Sequence, residues 1–281
     1  MTKGNKILIG IIIAIFVMLG AGYAAIHVVS GLDSPLSVIM SSSMQHDDNQ
    51  SQIGVIDTGD VMVIQSPSKA TIQSYVEATV TGYQTFDDYG SVIIYERGDD
   101  VNPVIHRAII WLDYNQNGTW KATSLKDYKG EWTCSGSSDI YSLSGTLRFI
   151  NITQSNKTVE INLDNLGKQS GYLTMGDNPK SNCYFDQAAG IISHPVGTDD
   201  IRSVAIMEIP WLGVIKVYMS ENKRSYLSHV PNSVNSLIML FVMVFAVIYT
   251  CDVFYAKKEL KEKREQMDDM MYWSVDRDHR S

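Results

Sequence analysis

Four short segments of this 281-residue chain hold the residue types of acyl-transfer chemistry. They are Ser41-Ser42-Ser43 followed by Met44, Gly59-Asp60, His106-Arg107, and Gly176-Asp177-Asn178 with Asp186 downstream. A serine hydroxyl attacks a carbonyl only when a neighbouring base takes its proton. An imidazole suits that task because it titrates near neutral pH. A carboxylate that accepts from the other imidazole nitrogen fixes the tautomer and supports the imidazolium that forms. A second hydroxyl beside the nucleophile can donate to the developing oxyanion, and a preorganised donor of that kind contributes about 3–4 kcal/mol.

Taken singly, each segment has an ordinary structural reading. Serine runs are usually polar loops, and Gly-Asp usually marks a turn. A histidine within Val104-Ile105-His106-Arg107-Ala108-Ile109-Ile110 would usually pack in a strand. His46, three residues after Ser43, is a rival base. What sets the serine run apart is its place, flanked by Val38-Ile39-Met40 and shortly after an apolar N-terminal segment.

That segment, Ile7 to Val29, is long enough to cross a bilayer, which takes about 20 residues. Gly22-Tyr23-Ala24 offers a small-x-small site for a cleavable leader, but the run exceeds the 7–15 residues of a leader's apolar region. A second run, Val234 to Tyr255, carries one charge, Asp252. Lys3 and Lys6 precede the first run, and Lys257, Lys258, Lys261, Lys263 and Arg264 follow the second. Basic flanks mark the cytoplasmic side. The expected organisation is therefore a cytoplasmic N-terminus at 1–6, a membrane helix at 7–29, an extracytoplasmic domain at 30–233, a membrane helix at 234–255 and a cytoplasmic tail at 256–281. Lys257 to Glu265 alternates charge at helical spacing and reads as a solvated continuation of the second helix, fraying toward Ser281. A hydrophobic content of 44% against 19% charged suits a chain partly in lipid, and the net charge of -8 excludes nucleic acid as a partner.

Between the two runs the sequence is β-rich. Val61 to Ile64, Ser91 to Tyr95, Val104 to Leu112, Gly145 to Ile150, Thr158 to Leu163, Ile201 to Ile209 and Gly213 to Met219 are short, rich in β-branched and aromatic residues, and bounded by turn formers. No long amphipathic helical period appears between 35 and 230. These features predict a mainly β, antiparallel domain. Residues 113–170 read as an inserted hairpin or small subdomain, with a tight turn at Asn117-Gly118. Asp113 to Gly118 is also like the first half of a calcium loop, but Ser124 stands where the closing acid belongs, so the hairpin is the better reading. Cys134 and Cys183 could pair, Cys251 falls in the second apolar run, and the cysteine spacing fits no zinc motif. Sequons at Asn49, Asn117, Asn151 and Asn156 permit glycosylation.

In this order and context the four segments resemble a type I signal peptidase of the archaeal and endoplasmic-reticulum kind, which uses histidine where bacterial enzymes use lysine. The resemblance covers residues 10–65, 90–112 and 170–220. It includes Ile209-Pro210-Trp211-Leu212-Gly213, similar to the family's Pro-aromatic-x-Gly element. His46 replaces the family's proline, and Met175 its lysine before Gly-Asp-Asn. The likeness implies a signal-peptidase-like catalytic domain flanked by two membrane helices, working without metal or cofactor on the signal peptides of exported preproteins with small side chains near the cut. It implies Ser43 as nucleophile, His106 as base and Ser41 as oxyanion donor. It implies that Asp60 pairs with Arg107 and that Met44 dips toward lipid. Asp186 is favoured as the partner of His106 with Asp177 as a supporting carboxylate, and the reverse assignment stays open. Two other readings remain: a processing protease of narrow specificity with the same fold, and a non-catalytic, membrane-anchored β domain for surface binding or assembly.

Overall fold

The computed structural model describes residues 3–98 and 101–278. Two compact units divide the chain: the terminal segments Met1–Ala25 and Ser236–Ser281, and the intervening Ile26–Asn235. In chain order the elements are α1 (Lys3–Ser30), β1 (Leu36–Val38), β2 (Val61–Gln65), α2 (Tyr75–Thr81), β3 (Gln84–Thr85), β4 (Asp88–Tyr89), β5 (Val92–Tyr95) and β6 (Val104–Tyr114). They continue with β7 (Trp120–Lys121), β8 (Glu131–Cys134), β9 (Thr146–Ile152), β10 (Lys157–Asn162), β11 (Gly171–Met175), β12 (Ile201–Ile209), α3 (Val214–Met219) and α4 (Pro231–Asp278).

The intervening unit is built on one antiparallel sheet in the order β1-β2-β12-β5-β6-β11, with β7 paired to β6. Val61 to Ile64 and Val92 to Tyr95 are buried at every residue, so both faces of these strands are covered and the apolar runs are continuous rather than alternating. One core packs Ile39, Met44, Ile56, Met62, Val92 and Ile94. A second joins Ile109, Ile110 and Leu173 of the main sheet to Val76 of α2 and to Leu147, Phe149, Val159 and Ile161. The last four belong to β9 and β10, which with β8 form a separate three-stranded meander. Along β10 the burial alternates, with Val159 and Ile161 inward and Glu160 outward, where it pairs across the strands with Arg148. Asn117-Gly118 turns the chain from β6 into β7, with Gly118 at a φ of 85°.

Two helical segments depart from the sequence expectation. Within the expected strand Gly213 to Met219, Val214–Met219 is a short helix. It follows a turn in which Trp211 takes a φ of 63°, and it buries Val214 and Val217, one turn apart, while Ile215 and Tyr218 stay exposed. Tertiary placement overrides the β-branched composition. α2 was absent from the β reading, although Ser74 and Glu77 form a capping box around its start. The cysteines also depart from the pairing considered: Cys134, Cys183 and Cys251 are all free. The Cys134 thiol meets the Ser144 carbonyl instead, and Cys183 meets the Lys157 ammonium.

Among the described residues two helical stretches are long and apolar enough to cross a membrane, Ile9–Ser30 and one within Pro231–Asp268. Phe16, Val17, Met18 and Leu19 are each more than 60% exposed, an apolar surface that suits lipid and not water. α4 runs on as one helix to Asp278, so the segment after Glu265 is helical and not frayed. No Pro or Gly interrupts residues 232–278, and the ion pairs Lys261–Glu265 and Lys263–Glu259 at helical spacing support the polar half. Residues 279–281 and the side chains of Lys3 and Lys6 lie outside the described residues.

Because β9 and β10 share a core with β6 and β11, the inserted meander and the main sheet should unfold together. Phe149→Ala should cost about 3–5 kcal/mol and shift a single denaturation transition of the β unit. Two separate transitions, with only one of them moved, would show that residues 113–170 fold on their own.

Candidate functional site

Consecutive residues of a strand project to opposite faces of the sheet, and His106 and Arg107 of β6 each meet a different carboxylate. The register of β5 against β6 sets Ile93 opposite His106, which places Tyr95 on the histidine's side. There the His106 Nδ1 lies 2.8 Å from both carboxylate oxygens of Asp186. The Tyr95 hydroxyl donates to Asp186 Oδ2 at 2.7 Å, and the Asp186 amide is tied to the Thr174 carbonyl of β11. Both members of the pair are buried, His106 at 3% and Asp186 at 1% exposure. Burial alone would raise the Asp186 carboxyl, but the attraction and hydrogen bonding of His106, helped by Thr174 and Tyr95, hold it below the ordinary value. With Nδ1–H donating to a carboxylate, Nε2 keeps its lone pair and is the basic nitrogen.

On the other face Arg107 is fully buried and bonds Asp177 through Nε at 2.9 Å and Nη2 at 2.5 Å. Its Nη1 donates to the carbonyls of Thr85, Asp88, Tyr89 and Gly90. Asp60 is therefore not the arginine's partner, which corrects the expected pairing. The Asp60 carboxylate instead accepts the amides of Asp57 and Trp211, each at 2.8 Å, and so holds Trp211 in its left-handed conformation. The Asp60 carbonyl accepts the Ile39 amide, which fixes the chain entering the serine run.

The serine run is pinned from the Asp177 side. Asn178 donates its amide to the Ser43 carbonyl at 3.0 Å and its Nδ2 to the Ser42 carbonyl at 2.7 Å. The Asn182 side chain reaches the Ser43 carbonyl as well. A Cβ on Gly176 would stand 2.5 Å from that carbonyl, so only glycine lets the two segments approach. Ser41 and Ser43 face a common cleft of about 920 Å³ with His106, and their hydroxyl oxygens lie 3.5 Å apart. Ser42 turns away into the protein at 8% exposure. Among the hydrogen bonds of the described residues none joins Ser43 to His106; the Ser43 hydroxyl meets that of Ser41.

Two neighbours of Ser43 are placed differently from expectation. Met44 does not point to lipid: it is 1% exposed and packs among Ile39, Ile56 and Met62, where it anchors the loop. His46 does not line the cleft. Its Nε2 lies 3.6 Å from Asp177 Oδ2, on the arginine side, away from the wall that holds His106. The structure thus gathers Ser41, Ser43, His106 and Asp186 at one site, sets Asp177 and Arg107 beneath it, and leaves Asp60 as a support for the turn at Trp211. Sequence reasoning missed Tyr95 and Asn182. Tyr95 needed the β5–β6 register to be seen, and nothing in the sequence marks Asn182.

Beside Trp211 three carboxyls are raised, in each case chiefly by burial. Against the lowering effect of amide donors, burial lifts Asp57 to about 6, Asp60 to about 8 and Glu208 to about 7, with repulsion from Asp57 adding to the last two. Asp57 Oδ1 and Glu208 Oε2 have no hydrogen-bond partner. Among the described residues no group of three or more His, Cys, Asp and Glu is arranged to hold a metal ion.

Two outcomes follow from these networks. A carboxyl raised in the folded chain binds protons that the unfolded chain has released, so its contribution is complete below the ordinary range near pH 4 and is lost as pH rises through about 6 to 8. Thermal unfolding followed from about pH 5 to pH 8.5 should show falling stability, and Glu208→Gln should flatten the slope, because glutamine keeps the acceptor for the Gly54 amide but no longer titrates. Asp177→Asn should cost about 3–5 kcal/mol in denaturant unfolding, since it strands the fully buried Arg107 charge. No family model, curated protein or solved structure matches the chain, and the reading of its chemistry therefore rests on this geometry.

Proposed function

We propose that the chain is a membrane-bound serine endopeptidase of the signal peptidase type, acting on the signal peptides of exported preproteins. The observation that carries this reading is the buried His106–Asp186 pair opening on the same cleft as Ser43 and Ser41. In the proposed reaction the Ser43 hydroxyl attacks the scissile carbonyl while His106 Nε2 takes its proton. The Ser41 hydroxyl donates to the oxyanion that forms. The His106 proton then passes to the departing amine, leaving an acyl ester on Ser43, and water activated by the same imidazole releases it. Asp186 holds the ring in the productive tautomer and stabilises its charged form, with Tyr95 fixing the carboxylate in turn.

The sheet supports a polypeptide substrate. β1 is an edge strand, and Ser37 and Val38 at its end line the cleft immediately before Met40 and Ser41. An extended chain can add to such an edge by backbone hydrogen bonds. The two apolar helical stretches support a membrane address, and the basic residues at 3, 6 and 257–264 favour both termini on the cytoplasmic side with the β domain outside. Lipid is then a partner alongside the substrate.

The test is cleavage of a model preprotein by the full chain in proteoliposomes. Ser43→Ala should abolish turnover, and Ser41→Ala should lower it by about a hundred- to a thousandfold. Asp186→Asn should keep the fold and lower turnover by about ten-thousandfold, because the ring loses its correct tautomer. Cleavage that persists in Ser43→Ala, or normal binding of an exported protein with no cleavage by the unaltered chain, would refute the reading, the second outcome in favour of a non-catalytic β domain.

A further inference from the structure

Among the described residues, the charged side chains lining the cleft that holds Ser43 and His106 are cations, whereas the molecule as a whole is acidic. The whole sequence has 31 Asp and Glu against 23 Lys and Arg. The cleft is lined by Arg97, Lys216 and Lys223 and by no carboxylate among the described residues. The three cations come from different places in the fold. Arg97 follows the end of β5, Lys216 sits within α3, and Lys223 lies in the turn after α3. None has a salt-bridge partner among the described residues. The Arg97 guanidinium donates to the Asn102 carbonyl, and the Lys223 ammonium lies 5.2 Å from the centre of the Tyr226 ring. A lysine or arginine facing water on a convex surface is well solvated and signifies little. Three cations with no carboxylate partner among the described residues, on the walls of one concavity, focus a positive potential into it.

We propose that the polypeptide taken by this cleft carries an acidic side chain close to the cleaved bond, and that Lys216, Lys223 and Arg97 receive it as specificity-determining residues. The inference rests on the endopeptidase reading of the same cleft. It goes beyond it by naming an electrostatic preference that the nucleophile, base and carboxylate do not require. A carboxylate at partial exposure gains about a tenfold advantage over a neutral isostere from one well-placed cation, and salt weakens that advantage. Asn102, Asn222 and Tyr226 also line the cleft and supply neutral hydrogen-bonding groups around the cations.

The experiment uses the full chain as Ser43→Ala in nanodiscs of phosphatidylcholine, so that peptides bind without being cut. The probe is a fluorescein-labelled preprotein junction peptide in three versions, with Glu, Gln or Lys scanned through the positions flanking the cut. At one or more positions the Glu version should bind about tenfold more tightly than the Gln version and more tightly still than the Lys version. High salt should erase the difference. The changes Lys216→Glu, at an exposed position, and Lys223→Glu, at a half-buried one, added together, should reverse the order in favour of Lys. Equal binding of the three versions at every position, or a preference that the double reversal leaves untouched, overturns the proposal. It is also overturned if the reversal alters only the response to added phosphatidylglycerol, which would assign the cations to a lipid headgroup. The same peptides given to the unaltered chain separate the two levels of the argument. Ser43-dependent cleavage with no charge preference sinks the acidic-substrate inference alone. Charge-selective binding without cleavage supports the acidic ligand and sinks the endopeptidase.

Discussion

A single buried ion pair, Arg107 with Asp177, ties together the parts of this domain that would otherwise be free loops. Neither charge sees water, and charges taken so far from solvent are costly unless every donor is met. Here they are. Two guanidinium nitrogens take the carboxylate, and the third takes four carbonyls of the small hairpin made by β3 and β4. That hairpin turns through Phe86 and Asp87, both at positive φ, a conformation that aspartate tolerates and phenylalanine rarely adopts. Its carbonyls converge on Arg107, which explains how the strained turn is kept. Asp177 passes the constraint on. It is followed by Asn178, whose amide and side chain fix the carbonyls of Ser43 and Ser42. The position of the serine loop is therefore set by an arginine that never reaches the cleft.

The same strand supplies the second network by the simplest property of β structure. His106 and Arg107 are neighbours in sequence and face opposite ways, so one dipeptide serves a site on one face and a buried anchor on the other. This division also settles which aspartate faces which residue. Asp186 lies with Tyr95 and Thr174 on the histidine's side, and Asp177 lies with Asp88 and the hairpin on the arginine's side. Asp177 has its carboxyl held low by Arg107 against the opposing effect of burial, whereas Asp88, which meets the guanidinium through its carbonyl and not its carboxyl, is raised by burial.

Much of the frame was legible because it follows from patterns that survive any tertiary context. The two apolar runs, the strands around Val61, Val92, Val104, Thr146 and Ile201, and the turn at Asn117-Gly118 all read directly. The failures have physical causes. Val214 to Met219 has a β-forming composition, yet its placement after the turn at Trp211 leaves only a short helix that buries Val214 and Val217. Asp60 looked like the arginine's partner by motif order, but two amide donors claimed it locally and a closer carboxylate claimed the arginine. Met44 looked like a lipid-facing residue by proximity to the membrane run, whereas the loop needed an apolar anchor opposite Ser43. Tyr95 carried no motif at all. Its role depends on strand register, which one sequence does not reveal.

The uninterrupted course of α4 has a dimensional consequence. Its 48 residues span about 72 Å at 1.5 Å per residue, more than twice the roughly 30 Å of a hydrocarbon core. The apolar stretch uses the first half of that length. The remainder begins with the alternating Lys and Glu of 257–265 and continues as helix to Asp278, a stiff rod that projects beyond any bilayer the first half crosses. A flexible tail of the same composition would sample the membrane surface and lie against it. A rod holds its far end at a set distance and bearing, as a mast holds what is fixed to its top.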